Sequence, residues 1–308
     1  MGSSLMDEPN VVKEQSNFSV TFKRSLRGVV DFFREDRFAM TGLIIYSVFI
    51  LVAILAPVIA PYDPHEMVRI NGQLQVNVGP NSNTYLGTTN MGRDVFSQLV
   101  YGARPAVLVG VSAAFMVVAI GTIIGLISGY FKGKIDTFLM RTTDVAFGIP
   151  FEPFVIVLVA FLGPSIWNIV LAMGLLLWRD TARVIRSQVL VVRERGFVES
   201  ARVAGASHFR ILFQHIAPNI LPLALLYGSL AMGWAILTEA AISFLGFGDP
   251  SVVSWGYMLH DAFVSQALSR ESYSWFVPPG ICIMLVVMAG FYIGRGSEKI
   301  LYPRLNQY

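Results

Sequence analysis

Few residues of this chain stand in patterns that could carry out chemistry. The segment from Gly129 to Lys134 has two glycines before a lysine, as a nucleotide-binding loop does. That loop requires four residues between its glycines and a serine or threonine after the lysine. Here three residues separate Gly129 from Gly133, and Ile135 follows the lysine. The sequence therefore predicts no nucleotide site on this chain.

Histidine and cysteine side chains show no metal-binding pattern. The chain has one cysteine, Cys282, which lies inside an apolar run and excludes an intrachain disulfide and a cysteine-based metal site. Metal sites place histidines at short, fixed spacings. No such spacing connects the four histidines of this chain, His65, His208, His215 and His260. We expect the chain to bind no metal and no cofactor of its own, and to have no enzymatic activity.

The composition is that of a protein in a lipid bilayer. Hydrophobic residues make up 54% of the chain, charged residues make up 14%, and the mean hydropathy is +0.59. These values lie well away from the averages of soluble domains. The net charge of +3 is weak, and membrane orientation explains the Lys and Arg residues better than nucleic acid does. The sequence predicts no nucleic-acid partner.

Apolar runs of spanning length, about 20 residues, predict an all-α polytopic membrane protein. Four such runs are free of charge, at residues 38–60, 105–130, 216–238 and 277–294. A fifth run, residues 145–178, would form about 51 Å of helix, which is too long for one crossing. Gly163-Pro164-Ser165 would divide it into a hairpin, because proline cannot continue a helix. The prediction is six transmembrane helices.

The distribution of Lys and Arg predicts the orientation. With the N-terminus inside, the inner segments carry 19 of these residues and the outer segments carry 4. Positive residues accumulate on the cytoplasmic side, so both termini are expected there. The predicted organisation is a cytoplasmic tail (1–37), a first transmembrane helix (38–60), an extracytoplasmic loop (61–104), a transmembrane core (105–294) and a cytoplasmic tail (295–308).

Two glutamates are candidates for lining a translocation path. Glu152 lies inside an apolar run, near the cytoplasmic end of the predicted third span. Its carboxylate would reach the interface or a polar cavity, and contact with a solute is the other interpretation. Glu239 directly follows the predicted fifth span. An ion-coupled secondary transporter or channel is an alternative function. Such proteins usually keep ionisable residues inside the membrane for ion relay, whereas the spans of this chain offer essentially only Glu152.

Three glycines of the second span predict close helix packing. Gly121, Gly125 and Gly129 are spaced by four and therefore lie on one helix face. Small residues at this spacing let another helix approach closely. Lining a path is the alternative interpretation.

The basic segment of residues 194–210, called the elbow below, predicts two short helices joined by a turn. A helix from Phe197 would carry small residues at Ala201, Ala204 and Gly205, and charges at Glu199 and Arg202. Gly205 can adopt the left-handed conformation that ends a helix, and Ser207 can cap the next one. Such a helix, with Phe197 and Phe209 on either side, is suited to a groove on another protein. A solvated connecting loop is the alternative.

At these residues the chain resembles the permease subunits of bacterial and archaeal ABC importers, whose signature is Glu-Ala-Ala and a glycine four residues later. The match is Glu199-Ser200-Ala201-Arg-Val-Ala-Gly205, with Ser200 in place of the first alanine. The resemblance narrows to C-type subunits of the oligopeptide and dipeptide permease branch through motifs between about residues 85 and 260. These are Leu86-Gly-Thr-Thr-Asn-Met-Gly-Arg-Asp94, Gly102-Ala-Arg104, Asp136, Met140-Arg141, Asp144, His215-Ile-Ala-Pro-Asn219 and the stretch from Glu239 to Gly256.

The resemblance implies an ABC type I importer permease fold in a prokaryotic cell membrane, with a coupling helix at about residues 197–206. The implied partners are a paralogous permease subunit, two ATP-binding subunits that carry ATP and Mg²⁺, and an extracytoplasmic substrate-binding protein. The implied cargo is di- or oligopeptides, with oligosaccharides, nickel or other small solutes as alternatives. Coupling to the ATPases would involve Phe197, Glu199, Ser200, Ala201, Arg202, Gly205 and Ser207.

Overall fold

The computed structural model describes residues 36–301, with side chains up to Arg295. The predicted N-terminal tail (1–37) lies almost wholly outside these residues, as do the last seven residues of the predicted C-terminal tail (295–308). The described residues are helical apart from a segment near residues 60–94 and short connections.

The first helix, α1, spans Arg37–Ile59 and has well-defined ends. An oxygen of the Asp36 carboxylate accepts hydrogen bonds from the amides of Phe38 and Ala39, which satisfies two free donors of the first turn. At the other end Ala60 is extended, as expected for a residue that precedes a proline.

A segment of residues 60–94, called the lid below, connects α1 to the second helix. Its strands β1 (Arg69–Ile70) and β2 (Gln73–Leu74) pair antiparallel. Asn71 and Gly72 join them with φ of +53° and +82°, the conformation that Asn-Gly favours in two-residue hairpins. Thr88 bridges to Asp94, so the lid is attached to the start of the next helix.

The second helix, α2, is longer than predicted. It spans Val95–Phe131, 37 residues, and so begins ten residues before the predicted run of 105–130. The Asp94 carboxylate caps it by accepting from the amide and the hydroxyl of Ser97, each at 2.7 Å. Arg104, the charge directly before the apolar run of 105–130, is exposed, and its Nε donates to the carbonyl of Ala53 at 2.9 Å.

The long apolar run at residues 145–178 folds as a hairpin around residues 163–165, as predicted, but its two arms are short. The helices are α3 (Gly133–Phe147), α4 (Phe151–Leu162), α5 (Ile166–Leu176) and α6 (Trp178–Val192). The apolar arms α4 and α5 have 12 and 11 residues, about 18 and 17 Å, too short to cross a bilayer alone. α3 and α4 meet at an angle of 80°.

The predicted count of six spans is not confirmed. Within residues 36–301 four helices are long and apolar enough to cross a membrane, or five if the bent pair α3 and α4 is one span. Apolar length alone predicts two spans in residues 145–178, because it does not show the bend at residues 148–150. The neighbouring helices α3 and α6 contain charged residues, so joining either of them to an apolar arm lowers the mean hydropathy of the combined segment.

The C-terminal half begins with the elbow and continues into two long helices. Its elements are α7 (Gly196–Val203), α8 (His208–Arg210), a π-helix (Ile211–Ile216), α9 (Ala217–Phe244), α10 (Trp255–Val264) and α11 (Tyr273–Leu301). α2 packs against α6 and α9, and α11 packs against α1 and α9. Trp255 sits in the main core, where its indole nitrogen donates to the carbonyl of Leu99 at 2.9 Å.

The glycine row on α2 lies against α6. A methyl group at Gly121 would stand 2.7 Å from Thr181 Cβ, and one at Gly129 would stand 2.7 Å from Val189 Cβ. At Gly125 it would meet Ile185 Cβ at the same distance. The partners on α6 are also spaced by four. Two rows with the same spacing therefore interlock, and the row has no room for larger side chains.

Candidate functional site

The elbow is a short helix followed by a left-handed turn. α7 ends at Val203, and Gly205 has a φ of +79°. The amide of Ala206 donates to the carbonyl of Ala201 at 3.0 Å, and the amide of Gly205 donates to the carbonyl of Arg202 at 3.0 Å. These two bonds form a Schellman motif, in which a left-handed residue, usually glycine, ends a helix. The conformation predicted for Gly205 is confirmed.

The predicted cap of the next helix is also found. The hydroxyl oxygen of Ser207 accepts a hydrogen bond from the amide of Arg210 at 3.3 Å. α8 contains three residues before the helical ladder changes.

A π-helix joins α8 to the long helix α9. The amide of Ala217 donates to the carbonyl of Leu212, five residues back, instead of four. Pro218 has no amide hydrogen and cannot continue the regular ladder. The side-chain amide of Asn219 donates to the carbonyl of His215 at 2.6 Å. This part of the chain therefore lacks the regular backbone ladder, and π-helical turns are frequent at functional sites.

α7 is anchored by one side and exposed on the other. Val198 is fully buried in the main core, and Ala201 packs against the same core. Phe197 is 41% exposed, and Val203 is 86% exposed. The remaining residues proposed for coupling are exposed as well: Glu199, Ser200, Arg202, Gly205 and Ser207.

The exposed side of α7 borders an open cavity with a volume of about 510 Å³. Its lining consists of Gly196, Glu199, Ser200, Val203 and Ala204. The carboxylate of Glu199 therefore lies beside an exposed apolar side chain and several small residues. A mixed apolar and charged face of this kind is typical of a contact surface for another protein.

Charged side chains join the start of the elbow to the end of α2. Lys132 Nζ and Arg193 Nε each lie 3.1 Å from Glu194 Oε1. The hydrogen bond from Lys132 and the two positive charges hold the pKa of the Glu194 carboxyl below its usual range. The Arg193 guanidinium also donates to the carbonyls of Gly129 and Tyr130 at 3.2 and 2.5 Å. The contacts of Lys132 with Glu194 and of Arg193 with Gly129 and Tyr130 were not predicted from the sequence, because they join residues more than 60 positions apart.

Two ion pairs connect α3 to α6 in the same region. Arg186 donates from Nε and Nη2 to the two carboxylate oxygens of Asp136, each at 2.6 Å, and Ser128 donates to Asp136 as well. Arg183 Nη2 lies 2.8 Å from Asp144 Oδ1. Both aspartates belong to the motifs of the family resemblance, which assign no partner to either. The available signal was the two arginines three residues apart on the neighbouring helix.

The two path candidates lie in different environments. Glu152 is exposed in the first turn of α4. Glu239 is 3% exposed near the end of α9, and Ser243 donates to its carboxylate at 2.6 Å. In this chain by itself Glu239 is therefore an internal polar group, whereas Glu152 is open to a partner, to lipid or to solvent.

No group of three or more His, Cys, Asp or Glu that could hold a metal is found within residues 36–301. Cys282 is partly buried and forms no disulfide.

Two family descriptions match this chain. Residues 121–307 match the family "Binding-protein-dependent transport system inner membrane component". Residues 26–80 match "N-terminal TM domain of oligopeptide transport permease C". The first match covers the elbow, the ion pairs of α3 and α6, and the last two long helices.

Similar proteins extend over nearly the whole chain. An oligopeptide transport system permease protein of Bacillus subtilis is 36% identical over 89% of this chain and 88% of its own length. A dipeptide transport system permease protein of Alkalihalophilus pseudofirmus is 37% identical, with 89% and 88% covered. A glutathione transport system permease protein of Escherichia coli is 35% identical, with 89% of both chains covered.

Proposed function

This chain belongs to the family of binding-protein-dependent transport system inner membrane components, and from that premise we propose that it is the permease subunit of an ATP-driven importer of di- or oligopeptides. The observation that carries the proposal is the elbow: α7 is anchored by Val198 and presents Glu199, Ser200 and Val203 on an open surface. An exposed helix face of this kind on a membrane protein is suited to binding another protein.

The proposed partners are those that membership of this family implies. ATP and Mg²⁺ would be bound by two ATPase subunits, which receive α7 of this chain and the corresponding helix of a paralogous permease. The translocation path would form between the two permeases. The lid, residues 60–94, would face an extracytoplasmic substrate-binding protein.

Transport would proceed by alternating access. Closure of the ATPases on ATP would displace α7, and the long helices would rock between inward-facing and outward-facing arrangements. The Asp136–Arg186 and Asp144–Arg183 pairs would keep α3 and α6 together during this movement. An ion-coupled mechanism is less well supported, because Glu239 bonds to a serine and Glu152 is exposed, which provides no ion relay between them.

The proposed orientation, with the elbow in the cytoplasm, is testable by cysteine labelling. In a Cys282→Ser background we expect cysteines at Asn83 and Ser269 to react with an impermeant thiol reagent from outside. A cysteine at Ser207 is expected to react only after the membrane is opened. All three positions are exposed, so accessibility depends on the side of the membrane and not on burial. Labelling of Ser207 from outside, or of Asn83 only from inside, would contradict the orientation.

The peptide assignment rests on the relatives and on the nearly charge-free spans. Peptides of varied side chains share only their backbone, so a path that serves them should bind each cargo weakly. Selection would then belong to the external binding protein. A neutral oligosaccharide would suit the same path, and it is the second candidate.

Reconstitution of the five-component system in proteoliposomes tests the cargo. We expect ATP-dependent uptake of labelled di- or oligopeptides and no uptake of labelled oligosaccharides. A complex with a hydrolysis-deficient ATPase subunit is the control for ATP dependence. Uptake of oligosaccharides alone would refute the peptide assignment and leave the permease assignment in place.

A further inference from the structure

Both ends of the elbow are bonded to a single residue at the end of α2. The carbonyl of Tyr130 accepts from Arg193, the residue directly before the elbow, at 2.5 Å. The hydroxyl of the same tyrosine and Nδ1 of His208 lie 2.8 Å apart and share a hydrogen bond. The two rings meet edge to face with centroids 5.7 Å apart. Tyr130 itself is 6% exposed and belongs to the main core.

The packing of α2 on α6 explains why Arg193 reaches this place. Thr181, Ile185 and Val189 lie against the glycine row of α2 at a spacing of four. Arg193 is the next residue in that row, one turn beyond Val189. α2 ends there, and its last carbonyls have no partner within the helix. A guanidinium is favourable at this position because a helix C-terminus carries a partial negative charge.

The opposite end of α2 is attached to the outer part of the protein. The helix is 37 residues long, about 55 Å. At its start the amide of Val95 donates to the carbonyl of Gly87 in the lid at 3.1 Å, and Asp94 caps the first turn. α2 is therefore a single helix that reaches from the elbow to the lid, with Pro105 inside it near the lid.

The covalent route out of the elbow is less regular. The chain leaves His208 through three helical residues and a π-helix, and Pro218 follows within α9. That junction is π-helical over six residues, whereas α2 misses a single ladder bond, at Pro105, and is a regular α-helix from there to Phe131.

We propose that Tyr130 is a positioning residue that makes the elbow and α2 one rigid body, so that displacement of the elbow is passed along α2 to the lid. This inference rests on the proposed coupling role of the elbow. It concerns how movement leaves the elbow, and it does not depend on which solute is carried.

The first test separates transport from ATP consumption in the complete complex. Tyr130→Phe keeps the ring and removes the bond to His208. We expect peptide uptake per ATP hydrolysed to fall by about five-fold, the equivalent of about one hydrogen bond, while ATP hydrolysis and assembly persist. His208→Ala should give the same loss, and the double variant should be no worse than either single one. A wild-type ratio in Tyr130→Phe, or additive losses, would overturn the proposal.

The matched control is Tyr292→Phe. Tyr292 also lies near the end of a long helix, but its hydroxyl forms no hydrogen bond within the part of the chain that the structure describes, and its ring contacts Phe38. We expect this variant to keep the wild-type ratio of uptake to ATP hydrolysis. A merely structural effect of removing any tyrosine hydroxyl would lower both variants alike, and that result would also count against the proposal.

A second measurement does not require cargo. Spin labels at Arg210 in the elbow and Ile123 on α2, both exposed, are placed in the Cys282→Ser background of the complex. We expect their distance to be the same with and without ATP in the wild type and to change with ATP in Tyr130→Phe. A distance that changes with ATP in the wild type would refute the rigid body, even if the complex carries no peptide. If the wild-type distance is the same with and without ATP but no peptide is taken up, the proposed cargo is wrong and the rigid body is not contradicted.

Discussion

A permease carrying Gly205→Leu is expected to reach the membrane at the wild-type level and to transport nothing. The φ of +79° at this position costs a residue with a side chain about 1–2 kcal/mol. Apart from its two chain neighbours, no atom of the described residues lies within 4 Å of a Cβ at Gly205. The isopropyl group would therefore project away from the chain's own core and into the surface proposed for the ATPase. ATP-dependent uptake by the reconstituted complex, together with the membrane level of the variant, measures the effect.

Two further variants separate backbone strain from bulk. Gly205→Asn should keep most of the activity, because asparagine tolerates the left-handed conformation. Gly163→Leu is the positional control: Gly163 has a φ of +94° and a ψ of 157°, a region adopted almost only by glycine, so leucine is strained there as well, and among the described residues a Cβ there meets nothing within 4 Å. It lies in the hairpin between α4 and α5, away from the elbow, and we expect its transport to be near wild type. Wild-type uptake by Gly205→Leu would remove the elbow from the coupling mechanism.

A valine at Gly125 is expected to lower the stability of the protein sharply. A Cβ there would stand 2.7 Å from the carbonyl oxygen of Ala182 and 2.7 Å from Ile185 Cβ. A backbone oxygen cannot move aside as the tip of a flexible side chain can, so α2 and α6 would have to separate. Overpacking of this kind costs about 1–3 kcal/mol, which corresponds to roughly 2–10 °C in the apparent melting temperature of a chain of this size. Thermal unfolding of the purified protein in detergent measures it.

Gly280→Val is the matched control for this effect. Gly280 also lies inside a long apolar helix, α11, but a Cβ at this position meets nothing within 4 Å. Both variants add the same β-branched side chain to a helix, so the difference between them isolates the contact with α6. Equal melting temperatures for the two variants would show that the glycine row does not set the distance between α2 and α6.

The sequence by itself determined the features that depend on local chemistry. Residues 163–165 divide the long apolar run, Gly205 adopts the left-handed conformation and Ser207 caps α8. Each of these follows from the backbone freedom of one or two residues, or from a cap within three positions. Such preferences act in the same way whatever packs around them.

The glycine row shows which information a local sequence pattern does not contain. The spacing of Gly121, Gly125 and Gly129 predicts a close helix contact, but it names no partner. Only the tertiary structure identifies α6, because the choice depends on which other helix offers a matching row.

The number of spans could not be read from apolar length. The bend at residues 148–150 leaves α4 with 12 residues, and the charged helices α3 and α6 extend on either side of the hairpin. Apolar length records how much of a segment avoids water. It does not distinguish contact with lipid from contact with protein, and it contains no information on helix direction.

The contacts around the elbow depended wholly on tertiary structure. Tyr130 and His208 are 78 positions apart, and Asp136 and Arg186 are 50 apart. A side chain finds such a partner only after two helices have packed in one register, and a shift of one residue would turn it by about 100° around the helix axis. The sequence therefore determined the two helices of the elbow and their turn, whereas the packing of α2 on α6 decided what holds them.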